Sequence, residues 1–112
     1  MDRNQINLLN NIEFLIFGTS PLKLIYTTKL TKSSTLKFIQ NKDYINYYLL
    51  LEFLNPDLIS KVVVFSKNKR SKTLKNFVVY FNFEDCSINK IKIHFKNNLS
   101  QPIEIPIEYI KS

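Results

Sequence analysis

The sequence predicts a single α+β domain, in which N-terminal helices pack on one face of a mostly antiparallel sheet of roughly four to five strands. Three observations support this prediction. The chain has 112 residues, enough to bury one modest core but not two. Apolar residues in the first half recur at helical spacing, whereas the second half contains β-branched and aromatic segments between polar turns. We therefore interpret residues 1–112 as one domain with a meander-like C-terminal half.

The N-terminal element is predicted over residues 4–17, where a helical spacing competes with a strand pattern. The helical spacing is formed by Ile6, Leu9, Ile12 and Leu15. The last part, residues 12–17, is apolar enough to be a buried strand, so both interpretations stay open and helix is favoured. Gly18, followed by Thr-Ser-Pro, predicts the end of the element, because glycine readily forms a helix C-cap and proline cannot continue the hydrogen-bond ladder.

Two contrasting elements are predicted next. Residues 22–30 alternate between apolar and polar side chains, as in an edge or half-buried strand. A helix is predicted from Asn41 to Leu54, with Asn41 as the N-cap and Asp43 in the first turn, where its charge favours the helix dipole. This segment is apolar over far more than one helical stripe, which predicts burial on several sides.

The C-terminal half is predicted to consist mainly of strands. Asn55-Pro56-Asp57 predicts a short helical turn, because asparagine is a good N-cap and proline fits the first helical position. Four β-branched or aromatic segments follow at intervals typical of an antiparallel meander: residues 62–65, 77–83, 88–95 and 103–110.

The last two of these strands form a predicted hairpin that sets lysines beside glutamates. If Phe95 faces Ile103, then Lys90 pairs with Glu108 and His94 with Glu104. A register shifted by two residues substitutes Lys92 and Lys96 in these pairs. Either register favours structural charge pairs, each worth about 0.2–1 kcal/mol, over a nucleic-acid-binding face made of lysines.

The positive charge of the chain has two interpretations. The sequence contains 16 Lys+Arg against 9 Asp+Glu, a formal net charge of +7. It also lacks alanine, has one glycine and is rich in Lys, Asn and Ile, which is typical of AT-rich coding in a parasite, an organelle or a phage. Part of the charge therefore reflects genome composition, and the rest favours an anionic partner.

The strongest cationic feature is a run between two predicted strands, residues 67–75, which we call the basic loop. No acidic residue occurs between Asp57 and Glu84. A loop of this kind can neutralise phosphates, although lysine-rich hairpin tips also serve solubility alone. The candidate phosphate-binding residues are Lys67, Lys69, Arg70, Lys72 and Lys75. A second basic set, on a different part of the chain, comprises Lys23, Lys29, Lys32, Lys37 and Lys42.

Aromatic residues give a second candidate surface. Tyr44, Tyr47 and Tyr48 could anchor a partner from the predicted apolar helix, and a core position is the competing interpretation. A strand carries a further aromatic group: Phe77, Tyr80, Phe81 and Phe83. A helix apolar on so many sides leaves a protein interface, including a homodimer, as an option.

The sequence gives little support for catalysis or for a cofactor. It has one His and one Cys, and it contains no glycine-rich phosphate loop, nucleophile elbow or paired-cysteine motif. Asp85, Cys86 and His94 could supply three metal ligands, but their spacing matches no familiar zinc pattern, so we predict no metal site. A single cysteine cannot form an intramolecular disulfide, and no secretory signal or transmembrane stretch is recognised. We therefore expect an intracellular protein, cytoplasmic or organellar, that is not bound to a membrane.

These observations predict a basic, non-catalytic binding protein. The leading hypothesis is an accessory subunit of a larger, nucleic-acid-containing assembly, in which the basic loop contacts phosphates of RNA in preference to DNA. The alternative is a stand-alone adaptor or inhibitor that binds protein through its aromatic helix and a sheet edge. Membrane-surface attachment and an enzyme rank below these, because no basic amphipathic helix and no catalytic motif is found.

Overall fold

A computed structural model describes residues 12–19, 22–30, 35–39, 43–53, 55–82 and 86–111. Within these ranges the chain forms nine strands and two short 3₁₀ helices, at Pro56–Leu58 and Lys96–Asn98. The strands are β1 (Ile12–Thr19), β2 (Leu22–Lys29), β3 (Leu36–Ile39), β4 (Asn46–Phe53), β5 (Ile59–Ser66), β6 (Lys72–Thr73), β7 (Val78–Asn82), β8 (Ile88–Phe95) and β9 (Ile103–Ile110).

The predicted α+β class is wrong, because the described residues form an almost all-β fold with two sheets. Residues 12–17 lie in β1, and residues 4–11 of the predicted helix are outside the described part. The helix predicted for 41–54 is replaced by β4. Tyr47, Leu49 and Leu51 of β4 are buried, whereas Tyr48, Leu50 and Glu52 alternate with them on the opposite face. The segment is apolar on many sides because both faces of a strand are apolar, not because a helix is enclosed.

The two sheets differ in size and in the direction of their strands. The four-stranded sheet has the order β2-β1-β4-β7 and is antiparallel throughout. The five-stranded sheet has the order β3-β9-β8-β5-β6, with β3 parallel to β9 and the other pairs antiparallel. The strands predicted at 22–30, 62–65, 88–95 and 103–110 and the turn after Asn55 are confirmed in position, and the strand predicted at 77–83 corresponds to β7, with residue 83 outside the described part. The predicted meander is wrong, because β7 leaves the sheet of β5 and β8 and pairs with β4.

The two sheets share one hydrophobic core. Its buried residues come from the inner faces of both layers, for example Phe14 and Leu49 from the four-stranded sheet and Val62, Ile93 and Ile105 from the five-stranded sheet. None of the polar or charged residues that the structure describes is buried. Two layers that bury alternate residues against each other form a β-sandwich.

The arrangement of the central strands follows the immunoglobulin-type sandwich. β4 lies beside β7 in one layer, and β5, β8 and β9 lie side by side in the other, which matches the B–E and C–F–G neighbours of that architecture. This correspondence concerns topology only, because the same sandwich carries many unrelated functions.

Gly18 is required by a close contact inside the sheet, not by a helix C-cap as predicted. It lies in β1, and a Cβ placed on it would lie 2.4 Å from Cδ1 of the Tyr44 ring. The Tyr44 ring therefore occupies the space that a side chain at position 18 would need. Glycine at this position lets the Tyr44 ring pack directly against the backbone.

Candidate binding surfaces

The outer face of the four-stranded sheet carries an unusual number of large apolar side chains. Because successive strand residues point to opposite sides, the neighbours of buried Phe14, Ile16, Leu49 and Val79 point away from the core. We call this surface the apolar face. Its members come from all four strands: Leu15, Phe17, Leu22, Leu24, Tyr48, Leu50, Val78 and Tyr80.

Strand register brings these side chains into continuous rows. Phe17 pairs with Leu24 on one side and with Tyr48 on the other, and Tyr48 pairs with Tyr80. The rings of Tyr48 and Tyr80 meet edge to face, with centroids 5.1 Å apart. A second row consists of Leu15, Leu50 and Val78. One apolar row therefore crosses the whole sheet.

The apolar face is open to solvent and large enough to bind another molecule. Leu22, Leu24 and Tyr80 have exposed fractions of 66%, 46% and 53%. From the spacing of strands and residues, the two rows cover about 19 by 13 Å, or about 250 Å², and Leu22 extends them at one end. Contiguous exposed apolar patches of a few hundred Å² often mark interaction sites.

Polar groups border the apolar face at both ends. At one end Glu13 lies between Lys29 of β2 and Glu52 of β4. At the other end the Asn82 amide donates a hydrogen bond to Oδ1 of Asn46 at 2.9 Å, beside Thr19. An apolar centre with a polar border has the composition of a protein interface.

A cleft of about 320 Å³ runs along the edge of the same sheet, between β7 and the β5–β6 hairpin. Its lining residues include consecutive positions of β7, so the cleft follows that strand: Val64, Ser66, Lys69, Lys72, Leu74, Val78, Val79, Tyr80, Asn82, Ser87 and Ile88. Val78 and Tyr80 belong to both the cleft and the apolar face. The two surfaces are therefore contiguous.

The basic loop lies on the opposite wall of this cleft. All five predicted phosphate-binding residues are exposed: Lys67, Lys69, Arg70, Lys72 and Lys75. Lys69 and Lys72 line the cleft, whereas the other three do not. The Lys67 N–H donates to the carbonyl of Ser87 at 2.8 Å, which attaches the start of the loop to the beginning of β8.

The three predicted partner-binding tyrosines are separated by the fold. Tyr47 is in the core, with 2% of its surface exposed, and its hydroxyl donates to the carbonyl of Tyr44 at 2.8 Å. Tyr44 is half-buried and packs its ring 6.5 Å from that of Tyr47. Tyr48 alone of the three lies on the apolar face. Sequence reasoning missed most of this face. The runs 12–17 and 47–51 do indicate it, because nearly all of their residues are apolar, and a strand of that composition carries apolar side chains on both of its sides.

The outer face of the five-stranded sheet, which we call the charged face, has a different character. Lys92 pairs with Glu104 and Lys90 with Pro106, which is the hairpin register shifted by two residues. Glu104 accepts a hydrogen bond from Lys90 Nζ at 3.3 Å and forms an ion pair with Lys92 Nζ at 3.7 Å. Lys90 Nζ also lies 4.6 Å from the centroid of the Phe65 ring. The pairing of Lys90 with Glu108 and of His94 with Glu104 is therefore not formed.

His94 lies opposite Lys61 on the charged face. Partial desolvation lowers the pKa of His94 below the ordinary value of 6.5, and the charges of Lys61 and Lys92 lower it further by smaller amounts. Both lysines disfavour a second positive charge here. His94 is accordingly a neutral imidazole on a cationic surface near pH 7.

The described residues show neither a cluster of metal ligands nor one surface shared by the two basic sets. The described ranges contain no group of three His, Cys, Asp or Glu side chains able to hold a metal ion, and Asp85 lies outside them. In the second basic set, Lys23 and Lys29 lie on β2 and Lys37 on β3, two adjacent edges on the side of the sandwich away from β7 and the basic loop, whereas Lys32 and Lys42 fall outside the described part.

Comparison with known proteins gives no relative from which a role could be transferred. No protein-family model, curated protein or solved structure matches this chain. Among the described residues, no helix has the length and apolar character needed to cross a membrane.

Proposed function

We propose that this domain is a non-catalytic protein-binding module, and that its partner is an acidic protein with an apolar surface that covers the apolar face. The observation that carries the proposal is the apolar row Leu24–Phe17–Tyr48–Tyr80, which crosses all four strands on the side away from the core. Burial of such a face stabilises a complex by roughly 25 cal/mol per Å² of apolar area, before the costs of association.

The charge distribution supports an acidic protein as the occupant. The border of the apolar face carries Glu13, Lys29 and Glu52, whereas Lys23 pairs with Gly18 on the other side of the sheet, so this border has no cluster of cations. Anionic membranes instead attract clusters of cations beside apolar groups. A chain of net charge +7 repels a second copy and attracts an acidic partner over longer distances.

The test uses photo-crosslinking in cells that make the protein. A photoreactive amino acid replaces Leu24 or Tyr48 on the apolar face and, as a matched control, Pro106 on the charged face. We expect one acidic protein to be crosslinked from the first two positions and not from the third. The purified partner should then bind the wild type, and Leu24→Glu should weaken binding by about tenfold or more. Equal crosslinks from both faces, or crosslinks to a second copy of this chain, would contradict the proposal.

Phosphate contact by the basic loop is a second candidate function. The supporting observation is that all five of its cationic side chains are exposed on one connection, and that no acidic residue occurs in residues 58–83. RNA is the favoured ligand over DNA, within a larger assembly. The affinity for generic RNA and DNA should fall steeply with salt and be lost when Lys67, Lys69, Arg70, Lys72 and Lys75 are neutralised together. Binding that ignores these five substitutions would eliminate this candidate.

A further inference from the structure

Three adjacent strands of the five-stranded sheet contain no acidic residue. β6, β5 and β8 lie side by side, and neither aspartate nor glutamate occurs in any of them. Residues on the outer side of β5 and β8 form a surface that we call the lysine strip: Lys61, Phe65, Lys90, Lys92 and His94. They point outwards because the positions that alternate with them, such as Val62, Ile91 and Ile93, are buried. The strip therefore presents positive charge on strands that carry no negative charge.

The pairing of β5 with β8 sets an aromatic ring beside a lysine at each end of the strip. Lys61 pairs with His94 at one end, and Phe65 pairs with Lys90 at the other. Lys92 lies between these pairs on β8. The distance from His94 to Lys90 is four residues of strand, or about 13 Å. One phosphate group cannot span this length, so the strip suits a polymer of anions.

One end of the strip is free to bind a ligand. The Lys61 ammonium forms no ion pair and no side-chain hydrogen bond with any described residue, and the same holds for the His94 imidazole. His94 is partly exposed, so a neutral aromatic ring lies open beside two ammonium groups. Exposed aromatic rings, histidine included, stack on the unpaired bases of single strands, while lysines contact the phosphates.

The acidic residue that pairs with the strip is Glu104 of β9. Its carboxylate lies 3.3 Å from Lys90 Nζ and 3.7 Å from Lys92 Nζ. Three lysines against one glutamate leave an excess of positive charge. Glu104 would repel a phosphate bound to either of its lysines. Its removal should therefore strengthen the binding of a polyanion, although the same change removes a contact within the folded protein.

We propose that the lysine strip binds single-stranded nucleic acid. The phosphates contact Lys61, Lys90 and Lys92, and an unpaired base stacks on His94. Phe65 holds the Lys90 ammonium over its ring, 4.6 Å from the centroid. This inference rests on nucleic-acid binding, the second candidate function, and assigns to it a surface separate from the basic loop.

Two other polyanionic partners suit the strip less well. The bases of a duplex are stacked inside it, and the open face of a five-stranded sheet cannot enter a groove that admits a helix or a two-stranded ribbon. Anionic membranes bind cations that stand beside inserting apolar groups. None of the large apolar side chains that the structure describes as exposed belongs to the strip.

The probe is a fluorescein-labelled oligouridylate of roughly twelve nucleotides. Its controls are the duplex with oligoadenylate and a labelled polyglutamate of the same length, which carries negative charge without bases. We expect saturable binding of the single strand by fluorescence anisotropy at low salt, and binding weaker by about tenfold or more for both controls. No saturation below about 1 mM oligouridylate, or equal binding of either control, would overturn the inference.

Matched lysine variants locate the site. Lys61→Gln with Lys92→Gln should weaken binding by about tenfold or more. It should also reduce the slope of log affinity against log salt by about 1.4, because each phosphate neutralised on a single strand contributes about 0.7. Lys23→Gln with Lys37→Gln makes the same charge change on exposed lysines at other strands and should alter the affinity less than about threefold. Thermal unfolding establishes that each variant is folded. Equal effects of the two double variants would overturn the inference.

Two further positions separate binding from a merely structural role. Glu104→Gln should strengthen binding by about two- to fivefold, whereas Glu108→Gln, which lies opposite Lys37, should strengthen it less than about twofold. His94→Ala should weaken binding by about threefold or more, and His94→Phe, which keeps an aromatic ring, should retain it. Weaker binding by Glu104→Gln, or unchanged binding by His94→Ala, would contradict the assigned contacts.

The result is separable from the tests of both candidate functions. Binding that is lost when the basic loop is neutralised, but ignores the strip variants, would reject the lysine strip alone. Binding that is lost in the strip variants, but ignores the five loop substitutions, would reject the basic loop alone. The apolar face belongs to the other sheet, so Leu24→Glu should leave oligouridylate binding unchanged.

Discussion

The two outer faces of this sandwich are both formed by the outward side chains of alternating strands, but one face is apolar and the other is charged. On the four-stranded sheet, the outward positions of the central strands hold Leu15, Phe17, Tyr48 and Leu50, and the charges of its strands balance. On the five-stranded sheet, the strands carry five lysines against two glutamates, and Glu104 lies between two of those lysines. The second surface suits contact with solvent, and the first is the surface that the proposed partner would cover.

The largest expected effect separates the apolar face from the core of the same sheet. Leu49→Ala should lower the free energy of unfolding by about 2–5 kcal/mol, because Leu49 is buried and its truncation leaves a cavity. Leu24→Ala makes the same chemical change on an exposed side chain and should cost less than about 0.5 kcal/mol. Urea unfolding measures both values. Similar losses would mean that the apolar face is structural.

A smaller loss of stability is expected when Gly18, on the inner side of β1, is replaced. Gly18→Ala should cost about 1–3 kcal/mol, because the new methyl group overlaps the Tyr44 ring. The double variant with Tyr44→Ala should cost less than the sum of the two single changes. A double-mutant cycle by thermal or urea unfolding checks this, and full additivity would show that the contact carries no strain.

Tyr26 joins the two layers and gives a pH dependence. Its hydroxyl, on β2, donates to the carbonyl of Lys37, on β3, and burial raises its pKa from 10.0 to about 12. The folded state therefore holds this proton more tightly than the unfolded state, so its contribution to stability is complete below pH 10 and is lost as the pH rises to about 12. Ultraviolet titration should show a late-titrating tyrosine in the wild type that is missing from Tyr26→Phe.

The smallest expected effect tests the charged face. Glu104→Gln removes the partner of two lysines and should cost at most about 1 kcal/mol, and less at high salt, because all three side chains are partly exposed. Glu108→Gln, which removes the same charge from the same strand, is the matched control. A loss above that of the control at low salt supports the pairing. Equal losses would show that Glu104 contributes only net charge.

Sequence reasoning placed the C-terminal strands well because their alternation has one apolar side. Ile103, Ile105 and Ile107 alternate with Glu104, Pro106 and Glu108, and this period of two identifies a strand and its buried face. The same reasoning failed at residues 12–17 and 46–53. There the outward positions at the middle of each strand are also apolar, so the period of two is hidden and the segment resembles a buried helix.

The candidate surface was only partly predictable for the same reason. The basic loop could be located from charge alone, and it is exposed as expected. The apolar face could not, since it exists only after β1, β2, β4 and β7 are in register, and that register depends on contacts distant in sequence. The error about the helix therefore concealed the surface. Tyr48 was assigned to a partner for a sound reason, its aromatic character, but within the wrong element.

The unequal numbers of strands in the two layers have a geometric consequence. The four-stranded layer ends at β7, whereas the facing layer continues to β6 on the same side of the sandwich, at the cleft. The Tyr26–Lys37 hydrogen bond joins the opposite pair of edges, β2 and β3. The two layers are thus joined by a hydrogen bond on one side, and on the other side the four-stranded layer has one strand fewer than the layer that faces it. A single strand added beside β7 would give both layers five strands and would not disturb the hydrogen-bonded side.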